Sequence, residues 1–234
     1  ERYRLPLIPV LLIFSAAGLH EFLRSPAKLD RGTLAAVLLF VIANSHFGAA
    51  GASNPAQEEM RLGEAYFDGA RFEEAAARFR TATQMTPRSP EAWGRLGGAL
   101  SAAGKPAEAI QAWQEAADKG SHDPLVWFNL GTAHLGQDRP AEAARALEES
   151  VRLDESRVEA WVNLALSRGA LGNRDGALSA LDRALALDPG NPAALLEAGR
   201  WSVAAGDRAG ARAAWEKALV RAPKSADVRL TLCL

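Results

Sequence analysis

Residues 93–97 read Trp93-Gly94-Arg95-Leu96-Gly97, residues 127–131 read Trp127-Phe128-Asn129-Leu130-Gly131, and residues 161–165 read Trp161-Val162-Asn163-Leu164-Ala165. The three stretches are the same pattern at a step of 34 residues. Working outward, Leu62, Leu96, Leu130 and Leu164 keep that step, as do Gly63, Gly97, Gly131 and then Ala165. A second set follows it: Ala75, Ala109, Ala143, Ala177 and Ala211, each with a bulky residue four positions later at Phe79, Trp113, Leu147, Leu181 and Trp215. Pro87, Pro189 and Pro223 close three of the units. Apolar residues three and four apart share one face of an α-helix. Turn-forming stretches such as Gly104-Lys105-Pro106 and Gly172-Asn173-Arg174-Asp175-Gly176 then divide each unit into two helices. About five helix-turn-helix units follow, near 56–89, 90–123, 124–157, 158–191 and 192–225, with part of a sixth at 226–234. One such unit cannot bury its apolar face alone, so stacked units must share a continuous core.

This pattern resembles the tetratricopeptide repeat, and the resemblance runs over residues 53–234 in register without an insertion. It departs locally: Glu59 stands where the first unit should have its tryptophan, and Leu195 where the fifth should. Terminal units are often atypical because they have one neighbour instead of two. The resemblance implies an all-α, right-handed superhelical solenoid whose first helices line a concave face. It implies a protein–protein interaction scaffold that takes an extended peptide or partner segment there. Small residues at Gly97, Gly131 and Ala165 let the paired helices approach, and the repeated tryptophans are expected in the core.

The groove side of the first helices is expected to show Arg61, Arg95, Asn129 and Asn163, which stand at one register position. Gly94, Phe128, Val162 and Leu196 lie beside them, and Arg200 one turn on in the last full unit. Asn129 and Asn163 suggest a short amide ladder, since an amide both donates to and accepts from a peptide backbone. Arg61 and Arg95 suit carboxylates through paired hydrogen bonds; solvated helix positions are the plainer alternative for all four. The two-lysine and asparagine pattern with which chaperone-binding members grip a C-terminal carboxylate is missing.

The first 52 residues read differently. Residues 5–19 carry no charge, and neither do residues 32–52, which contain Leu34-Ala-Ala-Val-Leu-Leu-Phe-Val-Ile-Ala43. A lipid-spanning helix takes about 20 apolar residues, so we expect a two-helix membrane hairpin over about 5–23 and 32–50. Its short link carries Arg24, Lys28 and Arg31, and the next basic residue is Arg61. By the positive-inside rule the link faces the cytoplasm and the repeats lie outside, on the periplasmic face of a bacterial inner membrane. Arg2 and Arg4, on the other side, oppose that orientation. An alternative makes residues 28–52 a signal peptide with Ala50-Gly-Ala52 as its cleavage site; it too exports the array.

The opening Arg2-Tyr3-Arg4-Leu5-Pro6-Leu-Ile-Pro9 resembles a segment near the end of the membrane domain in bacterial lipid-linked-sugar glycosyltransferases similar to protein mannosyltransferases, of the GT-C fold. Some of these carry C-terminal tetratricopeptide repeats. The resemblance implies that Arg2, Tyr3 and Arg4 lie near the phosphate of a polyprenyl-phosphate sugar donor; an interfacial anchor for a helix is the alternative. The catalytic acid of that family lies in an external loop outside this sequence. The chain begins at Glu1 without methionine and stops at Thr231-Leu232-Cys233-Leu234 within a new repeat, so a longer polypeptide is expected. A free-standing, non-enzymatic membrane adaptor remains the competing expectation.

Composition narrows the rest. Residues 1–52 hold five Lys/Arg and three Asp/Glu, and the remainder 22 and 25, so neither part has the basic excess of a nucleic-acid binder. Cys233 is the single cysteine, and His20, His46, His122 and His134 are too far apart for a helical metal pair. No phosphate loop, nucleophile elbow or HExxH is present. We therefore expect no cofactor, no metal and no catalytic residue in this chain.

Overall fold

The computed structural model describes residues 54–222. They form ten α-helices: α1 (Pro55–Asp68), α2 (Phe72–Met85), α3 (Pro90–Ala102), α4 (Pro106–Asp118), α5 (Pro124–Gly136), α6 (Pro140–Leu153), α7 (Val158–Ala170), α8 (Arg174–Leu187), α9 (Pro192–Ala204) and α10 (Arg208–Arg221). The expected membrane hairpin at 5–23 and 32–50, the alternative cleavage site at 50–52, Arg2, Tyr3, Arg4 and the partial unit at 226–234 lie outside the described residues. Among the described residues no helix is long and apolar enough to cross a membrane.

Local chemistry fixes where helices start and stop. Proline, whose missing N–H costs nothing in the first turn, opens α3, α4, α5, α6 and α9. Side-chain oxygens of Ser89, Asp123, Asn173, Asn191 and Asp207 accept first-turn N–H groups of α3, α5, α8, α9 and α10. The turn inside every unit uses one residue in the left-handed region, at the same register position each time: Ala70, Gly104, Asp138, Gly172 and Gly206.

The core is a ladder of repeated pairs. A Cβ added at Gly63 would sit 2.6 Å from the ring of Phe79, and the same step meets Trp113 at Gly97, Leu147 at Gly131 and Trp215 at Gly199. Glycine at these places lets the second helix of each unit lay a bulky side chain directly on the first. Ala75, Ala109, Ala143, Ala177 and Ala211 are all buried. The tryptophans expected in the core by their 34-residue step lie at its edge rather than inside it. Trp113 and Trp215 are buried, while Trp93, Trp127 and Trp161 are half-buried against the core. Their Nε1–H groups donate to the carbonyls of Pro87, Ser121 and Glu155, each six residues back in the connection from the preceding unit. The tryptophan is thus a strap between units. Where it is replaced, the strap is absent: Glu59 instead pairs with Arg78, and Leu195 is simply buried.

Neighbouring first helices touch each other (α5 with α7, α7 with α9), whereas neighbouring second helices show no comparable contact. The first helices are therefore closer together and form the inner face of the curved stack.

Candidate peptide-binding face

The inner face is built from α1, α3, α5, α7 and α9. Between neighbouring first helices the sequence sets one recurring juxtaposition. The register position of Arg95, Asn129, Asn163 and Glu197 corresponds across each junction to that of Glu64, Gly98, Thr132 and Leu166 on the preceding first helix. Where both residues are polar they join. Arg95 Nη2 lies 3.2 Å from Glu64 Oε1, across α3 and α1. Asn163 Nδ2 donates to Thr132 Oγ1 at 3.0 Å, across α7 and α5.

The other two junctions are open rungs of the same ladder. Opposite Asn129 stands Gly98, where an added Cβ would meet nothing within 4 Å. Asn129 has no side-chain hydrogen bond among the described residues. Opposite Glu197 stands Leu166, which cannot pair with it. Glu197 turns instead to Arg200 on its own helix, with Arg200 Nη1 2.6 Å from its Oε1. Only 13% of the Glu197 side chain is exposed, against 53% for Arg200. Burial pushes the Glu197 carboxyl up from the ordinary glutamate range, and the Arg200 charge pulls it partly back.

Beside Glu197 lies a groove of about 350 Å³ between α7 and α9. Leu166, Gly169, Glu197, Arg200 and Trp201 line it together with three alanines. The corresponding place one unit earlier carries Leu135 where this junction has Gly169. Trp201 uses the room: a Cβ on Gly169 would lie 2.9 Å from its Cζ2.

Of the two amides expected to form a ladder for a peptide backbone, Asn163 donates to Thr132, while Asn129 has no side-chain hydrogen bond among the described residues. Arg61 is exposed and pairs with Glu58, and Arg95 with Glu64, so both expected carboxylate-binding guanidiniums already hold a carboxylate. Arg200 is likewise engaged. Phe128 is half-buried, with the Arg157 guanidinium 5.5 Å from its ring centroid. Val162, expected beside the groove, is buried in the core instead. Gly94 is not open either: a Cβ there would meet Val126 Cγ2 at 2.8 Å, so its smallness serves the close approach of α3 and α5. Sequence analysis did not single out Gly98, Thr132, Leu166, Glu197 or Trp201. Comparing two register positions across consecutive units, rather than one position along the array, would have found them. Among the described residues no group of histidine, cysteine and carboxylate side chains is arranged to hold a metal ion.

The tetratricopeptide repeat model matches residues 60–124 and 128–192, and a second model of the same description matches 170–232. Those matches span more than half of the sequence, in the register that the helix pairs show. This chain belongs to the tetratricopeptide repeat family. Solved structures share the fold. YrrB, a tetratricopeptide protein described as having an unusual peptide-binding site, is 22% identical with a TM-score of 0.68, over 75% of this chain and 91% of its own. MamA from Desulfovibrio magneticus is 19% identical with a TM-score of 0.65, over 74% and 99%. PilW, a type IV pilus biogenesis factor, is 21% identical with a TM-score of 0.59, over 74% and 80%. At these identities the likeness speaks for the fold alone. No curated protein sequence matches the chain. As a tetratricopeptide array, the described part is a protein–protein interaction scaffold.

Proposed function

We propose that the inner face of this array holds an extended segment of a partner protein across α3, α5, α7 and α9, with Asn129 gripping its backbone. The observation that carries this reading is the open rung at Asn129 and Gly98, beside a closed rung of the same kind at Asn163 and Thr132. An amide on a half-buried helix face, with empty space where its partner would be, offers a donor and an acceptor to a peptide backbone. The peptide-binding site described for YrrB, on a shared fold, supports a ligand of this class. Arg61, Arg95, Phe128, Asn163 and Arg200 frame the path.

The test is to select dodecapeptides from a random library on the full chain and to titrate a selected peptide against variants. Asn129→Ala should weaken it by about threefold to tenfold, the size of one net hydrogen bond. Gly98→Thr should close the rung as Thr132 does, weakening the peptide while raising stability by roughly a few tenths of a kcal/mol, because threonine suits a helix interior only slightly better than glycine. Unchanged affinity in both variants would sink the reading.

The uncharged segments within 5–23 and 32–50 support a second level of the proposal, a membrane-tethered scaffold on the periplasmic side. The likeness of Arg2–Pro9 to GT-C enzymes supports its being the C-terminal part of a lipid-linked-sugar glycosyltransferase, with Arg2, Tyr3 and Arg4 near a polyprenyl phosphate. The array would then recruit the acceptor or a partner enzyme. An antibody against residues 53–234 decides this. A membrane-fraction polypeptide at least twice the 24.9 kDa of this chain agrees with the enzyme, and one near 24.9 kDa leaves the adaptor.

A further inference from the structure

The second open rung differs in kind from the first. Its polar member is a carboxylate, Glu197, whose counterpart across the junction is Leu166, and the space beside it is mostly apolar, with Arg200 the other charged side chain that lines it. Leu166, 36% exposed, half-buried Trp201, whose ring lies over Gly169, and the Arg200 side chain line that space. A groove of about 350 Å³ has room for one large side chain. Charge on the inner face points one way. Its five helices carry seven acids and four arginines. All four arginines are already paired with carboxylates: Arg61 with Glu58, Arg95 with Glu64, Arg168 with Glu148 and Arg200 with Glu197. Three acids, Asp68, Glu91 and Glu159, have no ion pair among the described residues. The face thus has carboxylates to offer and no unpaired guanidinium.

We propose that the groove between α7 and α9 takes a large apolar side chain of the bound segment, and that Glu197 pairs with a lysine or arginine within two residues of it. The inference rests on the inner-face reading above and names the chemistry of the occupant at one end. Arg200 anchors Glu197 through one oxygen, Oε1, and the second oxygen has no partner among the described residues. An arriving cation would meet a carboxylate that is mostly out of water, where pairing is stronger than on an open surface. The Leu166 and Trp201 walls would exclude solvent from the contact.

The experiment uses the selected dodecapeptides on the full chain. Their aligned sequences should show an aliphatic or aromatic residue followed or preceded within two positions by lysine or arginine. Replacing that basic residue by glutamine in the synthetic peptide should cost about tenfold in affinity, as for a charge-assisted hydrogen bond. Glu197→Gln should lose the same factor for the basic peptide and nothing for the glutamine peptide. Thermal unfolding of E197Q, unchanged or slightly raised, confirms that the fold is kept. Leu166→Ser should weaken both peptides alike. Peptides that bind and respond to Asn129→Ala, yet carry no basic residue or prefer an acid at this place, overturn this inference and leave the inner-face reading standing. Failure to select any peptide overturns both.

Discussion

His134 is the one buried histidine among the described residues. It stands on α5 at the register position of Tyr66 and Leu100, and it is 7% exposed. Its Nδ1 is buried with no hydrogen-bond partner. Burial pushes its pKa below the ordinary imidazole value; Glu142 pulls it up slightly and Arg139 reinforces the fall. The sign follows directly. A histidine near 6.5 in the unfolded chain and lower in the folded one binds more protons when unfolded, so acid favours unfolding. Stability should be level above neutrality and should fall as pH drops through about 6.5, continuing until the folded-state value is passed. His134→Leu, which copies Leu100, should remove that component of the fall. Urea midpoints between neutral pH and mildly acidic pH, measured on both proteins, check it; identical slopes would assign the fall to other groups.

At the scale of the element, the turn inside each unit requires one left-handed residue, and three of the five are glycine. Ala70 and Asp138 hold the same conformation at φ 56° with a Cβ attached. Such a residue costs roughly 1–2 kcal/mol where glycine costs little. Ala70→Gly should therefore stabilise the α1–α2 turn by about 0.5–1 kcal/mol after the glycine's extra unfolded-state entropy is subtracted. Chemical denaturation measures it, and a loss of stability would contradict the turn geometry. Most of these elements could be read in the sequence. The 34-residue step gave ten helices their places, and the pairing of Gly97 with Trp113 or Gly131 with Leu147 follows from sterics that any observer can apply. What the sequence left hidden was relational. Val162 looks like a groove residue from its neighbours at the same register, yet it is buried in the core. Glu197 attracts no notice until Leu166, 31 positions earlier, is seen to deny it a partner. Periodicity reports which residues are equivalent; it does not report which equivalents face each other across a junction.

For the molecule as a whole, the ladder of rungs joins fold to function. Closed rungs at Arg95–Glu64 and Asn163–Thr132 tie neighbouring first helices together, and the tryptophan straps tie the units through their connections. Open rungs at Asn129 and Glu197 leave hydrogen-bonding capacity on the inner face that the array itself does not use. If those rungs are where the partner docks, binding should need little rearrangement of the helices. The measurement that tests this most directly is a crystal structure of the full chain with a selected dodecapeptide bound. The account predicts an extended peptide across α5, α7 and α9, with its backbone within hydrogen-bond distance of the Asn129 amide. A peptide seated on the second helices, α4, α6 and α8, with Asn129 still facing solvent, would contradict it.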